Sequence, residues 1–461
     1  MQKNISPGMT VLDALRKEIG LKGTKEGCRE GECGACTVLL GELRNGRVSY
    51  KAVPSCMLPV GEAECKHVVT IEGLNLSELN PVQKAFADMN ASQCGFCTPG
   101  FILAFTGYLL SGRELTLEDA MTSVDGNICR CTGYASIRRA ITTLFQDYRL
   151  EGKIPDIAFL TENRFLPEYF LQSSQLLSAI QTERCEYPAK GTLVAGGTDL
   201  YIQKGEVLPD EEVRFLSAED GVTGISEVQD EIIIGAGATV EEFRLDPLLN
   251  KHFPGLDEKL LLISSTILRN RATIGGNIVN ASPIGDMSVL LLALEARLLL
   301  AGKNGESYLP LEDFFLGYKE LALKPGEMIK SIIIPIPEFQ VFWNFEKVSK
   351  RERLDIATCN SGVTITVQNG KIRNIRLSFG GVAPVPLLVK QTQEFLKNKD
   401  LDIRVLKAAQ DILAEEIAPI SDVRGSSEYK TDLAKRLLHA HLESCFPDQI
   451  VYPLDGRGRM S

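Results

Sequence analysis

Nine of the chain's twelve cysteines lie within its first 131 residues, and only Cys185, Cys359 and Cys445 fall beyond. The opening Met1-Gln2-Lys3-Asn4-Ile5-Ser6-Pro7 has no apolar run, so nothing reads as a secretory signal and a cytoplasmic setting is expected. In a reducing compartment clustered thiols are poor candidates for structural disulfides and good ones for metal or redox chemistry. Histidine cannot share that work widely. His67, His252, His439 and His441 are the whole supply, and none adjoins a cysteine pair. A chain with this distribution must fold its first third around thiolate-rich sites.

Eight of the nine fall into two sets. Cys28, Cys33, Cys36 and Cys56 have the spacing C-x4-C-x2-C with a distant fourth ligand, which is plant-type spacing for a [2Fe–2S] cluster. The loop between the first ligands must wrap the cluster closely, and Gly27, Gly31 and Gly34 let backbone approach it. A four-cysteine zinc site is the alternative, although zinc sites usually show two C-x2–4-C knuckles. Cys94 and Cys97 form a C-x2-C, and Cys129 and Cys131 a C-x-C. Both pairs stand just ahead of expected helices, beginning near Pro99-Gly100 and Gly133-Tyr134, where the helix N-terminus favours anionic charge. Zinc or a redox dithiol remain open for this second set taken alone.

With 461 residues, length alone suggests about three domains. Fifty basic and 60 acidic residues leave a net charge of −10, and no segment gathers the basic cluster that nucleic acid binding needs. The apolar stretches Phe101–Leu110 and Val289–Leu300 are about half the roughly 20 residues of a membrane span. Val11, Leu12, Leu15 and Ile19 suggest an opening helix. Thr37–Leu40, Arg47–Val53 and Val68–Ile71 read as strands, and residues 76–150 as helical. Residues 151–186 read as a linker with a short helix, and strands and helices alternate from 187 to 337. Residues 338–461 form an α+β unit with a hairpin at Asn369-Gly370 and helices near 402–416 and 426–444.

Two Gly-rich loops follow the cysteine sets. Leu193-Val194-Ala195-Gly196-Gly197-Thr198-Asp199-Leu200 is a strand entering a tight turn, and Arg271–Asp286 is a second loop ending in a carboxylate. Such loops offer backbone N–H groups to a pyrophosphate, and Thr, Asn and Asp side chains to hydroxyls. Neither has the G-x-G-x-x-G form, so the residues alone leave ordinary turns open.

Gln93-Cys-Gly-Phe-Cys-Thr-Pro-Gly100 and Gly126-Asn-Ile-Cys-Arg-Cys-Thr-Gly-Tyr134 resemble the second cluster domain of the xanthine oxidase family, and Thr24–Cys36 resembles its ferredoxin domain. Both Gly-rich loops resemble the family's FAD-binding motifs in the same order. The resemblance implies a multidomain α+β chain. A β-grasp ferredoxin-like domain (1–75) and a helical-bundle [2Fe–2S] domain (76–150) come first, and an α/β FAD-binding domain (187–337) and a C-terminal α+β flavoprotein domain (338–461) follow. It implies metal ligation by Cys28, Cys33, Cys36 and Cys56 and by Cys94, Cys97, Cys129 and Cys131, with Gln93 near a pterin. It implies FAD contacts from 193–200, Ile263, Thr273, Gly276, Asn277, Asp286, Ile329 and Lys347, with Tyr318 on the flavin's NAD side. Three departures from the family pattern stand out. A strand is expected ahead of residues 2–5, Ile263 replaces an aromatic found in several relatives, and Ile267 replaces a glutamine.

The implied function is electron transfer. Clusters move single electrons, and a flavin releases two as hydride to NAD. No segment resembles the family's molybdopterin domain, so the resemblance implies a molybdopterin-binding large subunit as partner. The expected assembly is a heterotetramer with two of each chain, oxidising hypoxanthine and xanthine to urate, without membrane or nucleic acid. No catalytic residue of substrate oxidation is expected in this chain. Sibling hydroxylases of aldehydes or N-heterocycles, a stand-alone NADH:acceptor reductase and a zinc-stabilised interaction protein are the alternatives.

Overall fold

The computed structural model describes residues 5–180, 191–338 and 341–448. The chain separates into two compact units. One comprises Met1–Glu219, Thr239–Glu241 and Ser264–Ala272, and the other Asp220–Ala238, Glu242–Ile263 and Thr273–Ser461. The residues ahead of Ile5, Cys185 and the 186/187 boundary lie outside the described residues.

The first unit is built on a three-stranded antiparallel sheet, β1 (Thr37–Arg44), β2 (Arg47–Pro54) and β3 (His67–Val69), in the order β2-β1-β3. Asn45 and Gly46 carry positive φ at 51° and 77°, so a two-residue turn locks the β1–β2 register from Thr37↔Pro54 to Arg44↔Arg47. Side chains alternate across the pleat. Leu39 joins the core that holds Phe101, Leu103 and Phe105, whereas Val38 joins a smaller one with Val11, Leu15 and Leu58. The helix Thr98–Leu109 is apolar all round and buried from Gly100 to Leu109, as suits the centre of a helical bundle.

Two local readings change. The opening helix is α-helical only over Val11–Asp13 and continues as a π-helix over Ala14–Ile19, where the N–H of Gly20 reaches the carbonyl of Leu15. The wider turn no longer returns Ile19 to the face of Leu15, and Ile19 is 57% exposed while Leu15 is buried. Within the expected linker lie helices Ile157–Glu162 and Ser173–Ala179 with a 3-10 turn, Glu168–Gln172, between them. Leu160, Phe165, Leu166 and Phe170 are buried in the helical core. This stretch is packed against the cluster domains, because its apolar residues recur at helical spacing that the mixed composition conceals.

Residues 264–272 also belong to this unit, although they lie within the flavin region in sequence. Arg269 is fully buried. Its Nε lies 2.6 Å from Glu241, its guanidinium 3.9 Å from Asp125, and it donates to Thr266 Oγ1 at 2.9 Å. Thr266 N donates to Asp125 Oδ1 at 3.0 Å, and Asn270 Nδ2 to the Ala52 carbonyl at 3.0 Å.

The second unit has a five-stranded antiparallel sheet with the order β6-β7-β12-β8-β9. These strands are β6 (Ile225–Val228), β7 (Glu231–Gly235), β8 (Arg297–Gly302), β9 (Gly305–Pro310) and β12 (Met328–Pro335), with the hairpin β10 (Phe315–Gly317) and β11 (Glu320–Leu321) beside them in sequence. A four-stranded antiparallel sheet follows: β13 (Phe342–Val348), β14 (Cys359–Gln368), β15 (Lys371–Gly380) and β16 (Leu387–Leu388). The β14–β15 turn is Asn369-Gly370, as expected. Helices Ile403–Glu416 and Ser427–Cys445 share the core of this sheet through Leu406, Leu413, Leu438 and Leu442. The helix Asp286–Ala293, buried from Met287 onward, is tied to it by Ser378 Oγ to the Val289 carbonyl and Thr364 Oγ1 to the Ala293 carbonyl.

Two predictions follow from these cores. Arg269→Met leaves the carboxylates of Glu241 and Asp125 buried without their cation, which should destabilise the first unit by about 3–5 kcal/mol in denaturant unfolding. His441 is fully buried, with Nδ1 3.1 Å from Asn344 Nδ2, and burial holds its pKa down to about 4. Below about pH 6.5 the unfolded chain takes up a proton that the folded chain refuses, so stability should fall between pH 6.5 and 4 by about 3 kcal/mol from this residue. His441→Leu should flatten that part of the pH–stability curve, and a slope equal to the parent's would contradict the assignment.

Candidate cluster and flavin sites

The eight thiols of the two sets gather as four pairs in the first unit. Cys28 is hydrogen-bonded to Cys33, and Cys36 to Cys56. In the second set the pairs cross between the two motifs, Cys94 with Cys131 and Cys97 with Cys129. Among the described residues no three ligand side chains converge on one point. A [2Fe–2S] cluster takes two thiolates on each of two adjacent irons.

Three of the pairs divide their protons unevenly. The Cys33 thiol donating to Cys28, against a burial penalty and with help from the Glu30 and Glu32 amides, brings Cys28 down to about 5. Cys33 rises correspondingly, held up by Cys28 and by burial. Cys36 falls through the thiol of Cys56, and Cys56 rises. Burial and the link to Cys129 push Cys97 up to about 12. Burial opposes ionisation of Cys129, but the hydroxyl and amide of Thr132 outweigh it and bring Cys129 down. N–H groups already point at sulfur: Cys28 N at Cys33 Sγ, 3.4 Å, and Glu30 N at Cys28 Sγ, 3.3 Å. A Cβ on Gly27 would stand 2.7 Å from Cys33 Sγ, so a side chain at this position would crowd the thiol. Arg29 ties this loop to the first helix, with Nη1 and Nη2 at 3.0 and 2.8 Å from the carboxylate of Asp13.

The two cysteine loops are joined directly. Ile128 N donates to the Cys33 carbonyl at 3.0 Å, and Asn127 Nδ2 to the Gly34 carbonyl at 3.0 Å. Gly34 has φ +65°, and a Cβ there would meet the Gly126 carbonyl at 2.6 Å, so only glycine allows this approach. One hydrogen bond therefore links a cysteine of the first set to the residue before Cys129. Around the second set Phe96, Ile128 and Tyr134 are exposed, as are Gln93, Cys94 and Cys131. Gln93 Nε2 donates to the Cys131 carbonyl at 3.3 Å.

The first Gly-rich loop lies in the first unit. β4 (Thr192–Val194) pairs in parallel with β5 (Val213–Phe215), and Ala195–Asp199 turns into the helix Leu200–Lys204. Gly197 takes φ +74°. Arg271 Nη2 donates to the Ala195 carbonyl at 3.2 Å and pairs with Glu62, both side chains being at least nine-tenths buried. Leu193, Val194 and Gly196 face inward to varying degree, while Asp199 is exposed.

The second loop lies in the second unit. Thr273 caps the helix Ile274–Asn280 by accepting from Gly276 N at 3.1 Å. Asp286 is clamped through both oxygens: Lys347 Nζ donates to Oδ2 at 2.7 Å, and Asn360 Nδ2 to Oδ1 at 2.5 Å. Lys347 also reaches the Leu262 carbonyl at 3.0 Å, beside buried Ile263. Asn277 Oδ1, Ser288 Oγ and Asn360 Oδ1 are buried without a partner, and the first two would each lie 3.3 Å from a Cβ on Gly285. Unpaired buried acceptors and a glycine-lined gap suit a ligand rich in hydroxyl and amide groups. Ile329 is buried on β12 at a bulge. Tyr318, in the β10–β11 turn, is 66% exposed. Sequence reasoning missed Thr132, Asn127, Glu62, Arg271 and Asn360 as contributors. Thr132 lay inside a quoted motif, but Asn360 sits in a strand with no local signal.

Four family models match in this order. A 2Fe–2S iron–sulfur cluster binding domain covers residues 2–60, a [2Fe–2S] binding domain 70–142, an FAD binding domain in molybdopterin dehydrogenase 168–337, and a CO dehydrogenase flavoprotein C-terminal domain 344–444. Xanthine dehydrogenase/oxidase of Mus musculus is 29% identical over 92% of this chain, and xanthine dehydrogenase 1 of Arabidopsis thaliana 30% identical over 89%. The chain spans 36% of the length of each. The solved carbon monoxide dehydrogenase of Hydrogenophaga pseudoflava is 29% identical, with a TM-score of 0.53 over 56% of this chain and 89% of its own. Reconstituted CO dehydrogenase from Oligotropha carboxidovorans is 30% identical, with a TM-score of 0.52 over 55% and 90%. Among the described residues no helix is long and apolar enough to cross a membrane. With two cysteine-rich domains, a flavin-binding domain and its C-terminal companion in this order, the chain belongs to the xanthine oxidase family of molybdenum hydroxylases and corresponds to its iron–sulfur and flavin part.

Proposed function

We propose that this chain is the electron-transfer subunit of a xanthine dehydrogenase, most like the small subunit of the bacterial enzymes. Electrons from hypoxanthine and xanthine oxidation on a molybdopterin-binding partner leave through it to NAD. The observation that carries the wiring is the Ile128 N–H to Cys33 carbonyl hydrogen bond between the two thiol sets. The substrate reading rests on xanthine dehydrogenases matching about nine-tenths of the chain.

In this reading Cys94, Cys97, Cys129 and Cys131 hold the cluster that faces the partner. Exposed Gln93 and the apolar rim of Phe96, Ile128 and Tyr134 meet that chain. Cys28, Cys33, Cys36 and Cys56 hold the inner one. Residues 193–200 with Thr273, Gly276, Asn277, Asp286, Ile329 and Lys347 hold FAD, Ile263 packs on it, and Tyr318 stands on its NAD side. When bound, the clusters supply single-electron steps and the flavin converts two of them into a hydride for NAD. The chain's residues supply thiolates, N–H donors and short spacing. The setting is cytoplasmic and the assembly two of each chain.

A sibling substrate is the second reading, favoured by the solved quinoline 2-oxidoreductase of Pseudomonas putida 86, 25% identical with a TM-score of 0.51. The complex purified without oxygen should lose flavin and iron–sulfur absorbance on adding xanthine and regain it with NAD as NADH forms. Bleaching by quinoline or an aldehyde, and not by xanthine, would move the substrate. Cys28→Ser should leave reduction of the molybdenum centre intact and lower NADH formation at least 100-fold. Undiminished NADH output would refute the route through the first set.

A further inference from the structure

The loop after Cys131 carries a hydrogen-bond circuit that metal ligation does not require. Thr132 Oγ1 lies 3.1 Å from Cys129 Sγ, and its amide 3.4 Å from the same sulfur. Tyr134 N donates to Thr132 Oγ1 at 3.2 Å, and Cys129 N donates to Tyr134 Oη at 3.1 Å. A hydroxyl has a single proton to give. With the Tyr134 amide filling an acceptor position of Thr132 Oγ1, that proton is directed at the sulfur.

The backbone is strained to build this circuit. Gly133 has φ +61° and Tyr134 +67°. Left-handed backbone is uncommon for a residue as bulky as tyrosine, so it persists where surrounding contacts enforce it. The circuit is also one-sided. The hydroxyl of Thr132 donates to Cys129 Sγ, on the Cys97–Cys129 side of the set. Cys129 is moreover the ligand next to Ile128, whose amide bonds to the Cys33 carbonyl.

We propose that Thr132 determines which iron of the second cluster takes the electron, by aiming its hydroxyl proton at Cys129 Sγ on the pair that leads to the first thiol set. The inference rests on the two-cluster reading above. One electron from the partner's substrate-oxidising centre reduces one ferric ion to ferrous; no bond breaks, and Thr132 keeps its proton. The added negative charge spreads onto the thiolates, and a donor to one of them stabilises the reduced state more than the oxidised one. Cys97 and Cys129 would hold the iron that a donor to Cys129 Sγ favours for reduction, on the side nearest the first thiol set. Thr132 acts through the ligand as a positioning residue.

The test uses the whole complex, titrated redox-wise with each cluster followed by its own EPR signal. Thr132→Val should shift the reduction equilibrium of the second-set cluster about tenfold toward the oxidised form, equivalent to about 59 mV for one electron. Thr132→Ser, which keeps the proton, should stay within about twofold of the parent, and the first-set signal should not move. Both signals present but no shift in Thr132→Val overturns the inference. Loss of both signals and of iron from the parent protein would overturn the cluster reading instead. If the valine variant loses its cluster, the parent protein decides. An exchangeable deuteron coupled to the reduced second cluster in D2O, absent from Thr132→Ala, is expected, and a parent signal without it refutes the role of Thr132.

Discussion

Eight thiolates within one compact unit repel one another unless protons, metal ions or dipoles offset their charge, and the architecture of the first unit follows from that constraint. In three of the pairs one thiol falls and its neighbour rises. The loops that carry them are shaped by amides pointing inward. Cys97 and Tyr134 stand as the caps of the helices Thr98–Leu109 and Ala135–Tyr148, so partial positive charge lies beside the second set. The apolar sheet and bundle beneath serve as a rigid frame. Val38 and Leu39, adjacent in sequence, are buried in two different cores and hold the ligand loop from both sides.

The contact between the cysteine loops has its own requirements. A hydrogen bond between Ile128 and Cys33 is possible only because Gly34 has no side chain to strike the Gly126 carbonyl. Asn127 then satisfies the next carbonyl, that of Gly34. Close by in the same unit, residues 264–272 wedge against Asp125 and Ala52 through Thr266 and Asn270, with the buried Arg269 neutralising two acids at once. A segment from within the flavin region in sequence thus serves as a brace for the cluster domains. Ile267, which departs from the family's glutamine, is fully buried there, where an apolar side chain needs no hydrogen-bonding partner.

The flavin region shows the complementary economy. Asp286 is held by Lys347 on one oxygen and by Asn360 on the other, which fixes the carboxylate's plane as well as its position. Neighbouring acceptors on Asn277, Ser288 and Asn360 are left without partners inside a buried setting. Burying such groups unsatisfied is costly, and structures retain them where something else completes the bonding. The same logic applies to the left-handed Tyr134, whose strain closes the circuit from Thr132 to Cys129.

Much of this was legible in the chain itself. Cysteine spacing, the glycines between ligands and the Asn369-Gly370 hairpin are local codes, because ligand geometry and turn geometry are set by residues a few positions apart. Which thiol pairs with which, the bond from Ile128 to Cys33, the burial of Arg269 against Glu241 and Asp125, and the second hand that Asn360 lays on Asp286 were decided by tertiary structure alone. Those partners are up to 144 residues apart in the case of Arg269 and Asp125, counted from 269 and 125. Nothing in the identity of an arginine or an asparagine says that it will be buried. That depends on which other segments close over it, and closure of distant segments is a property of packing rather than of sequence pattern.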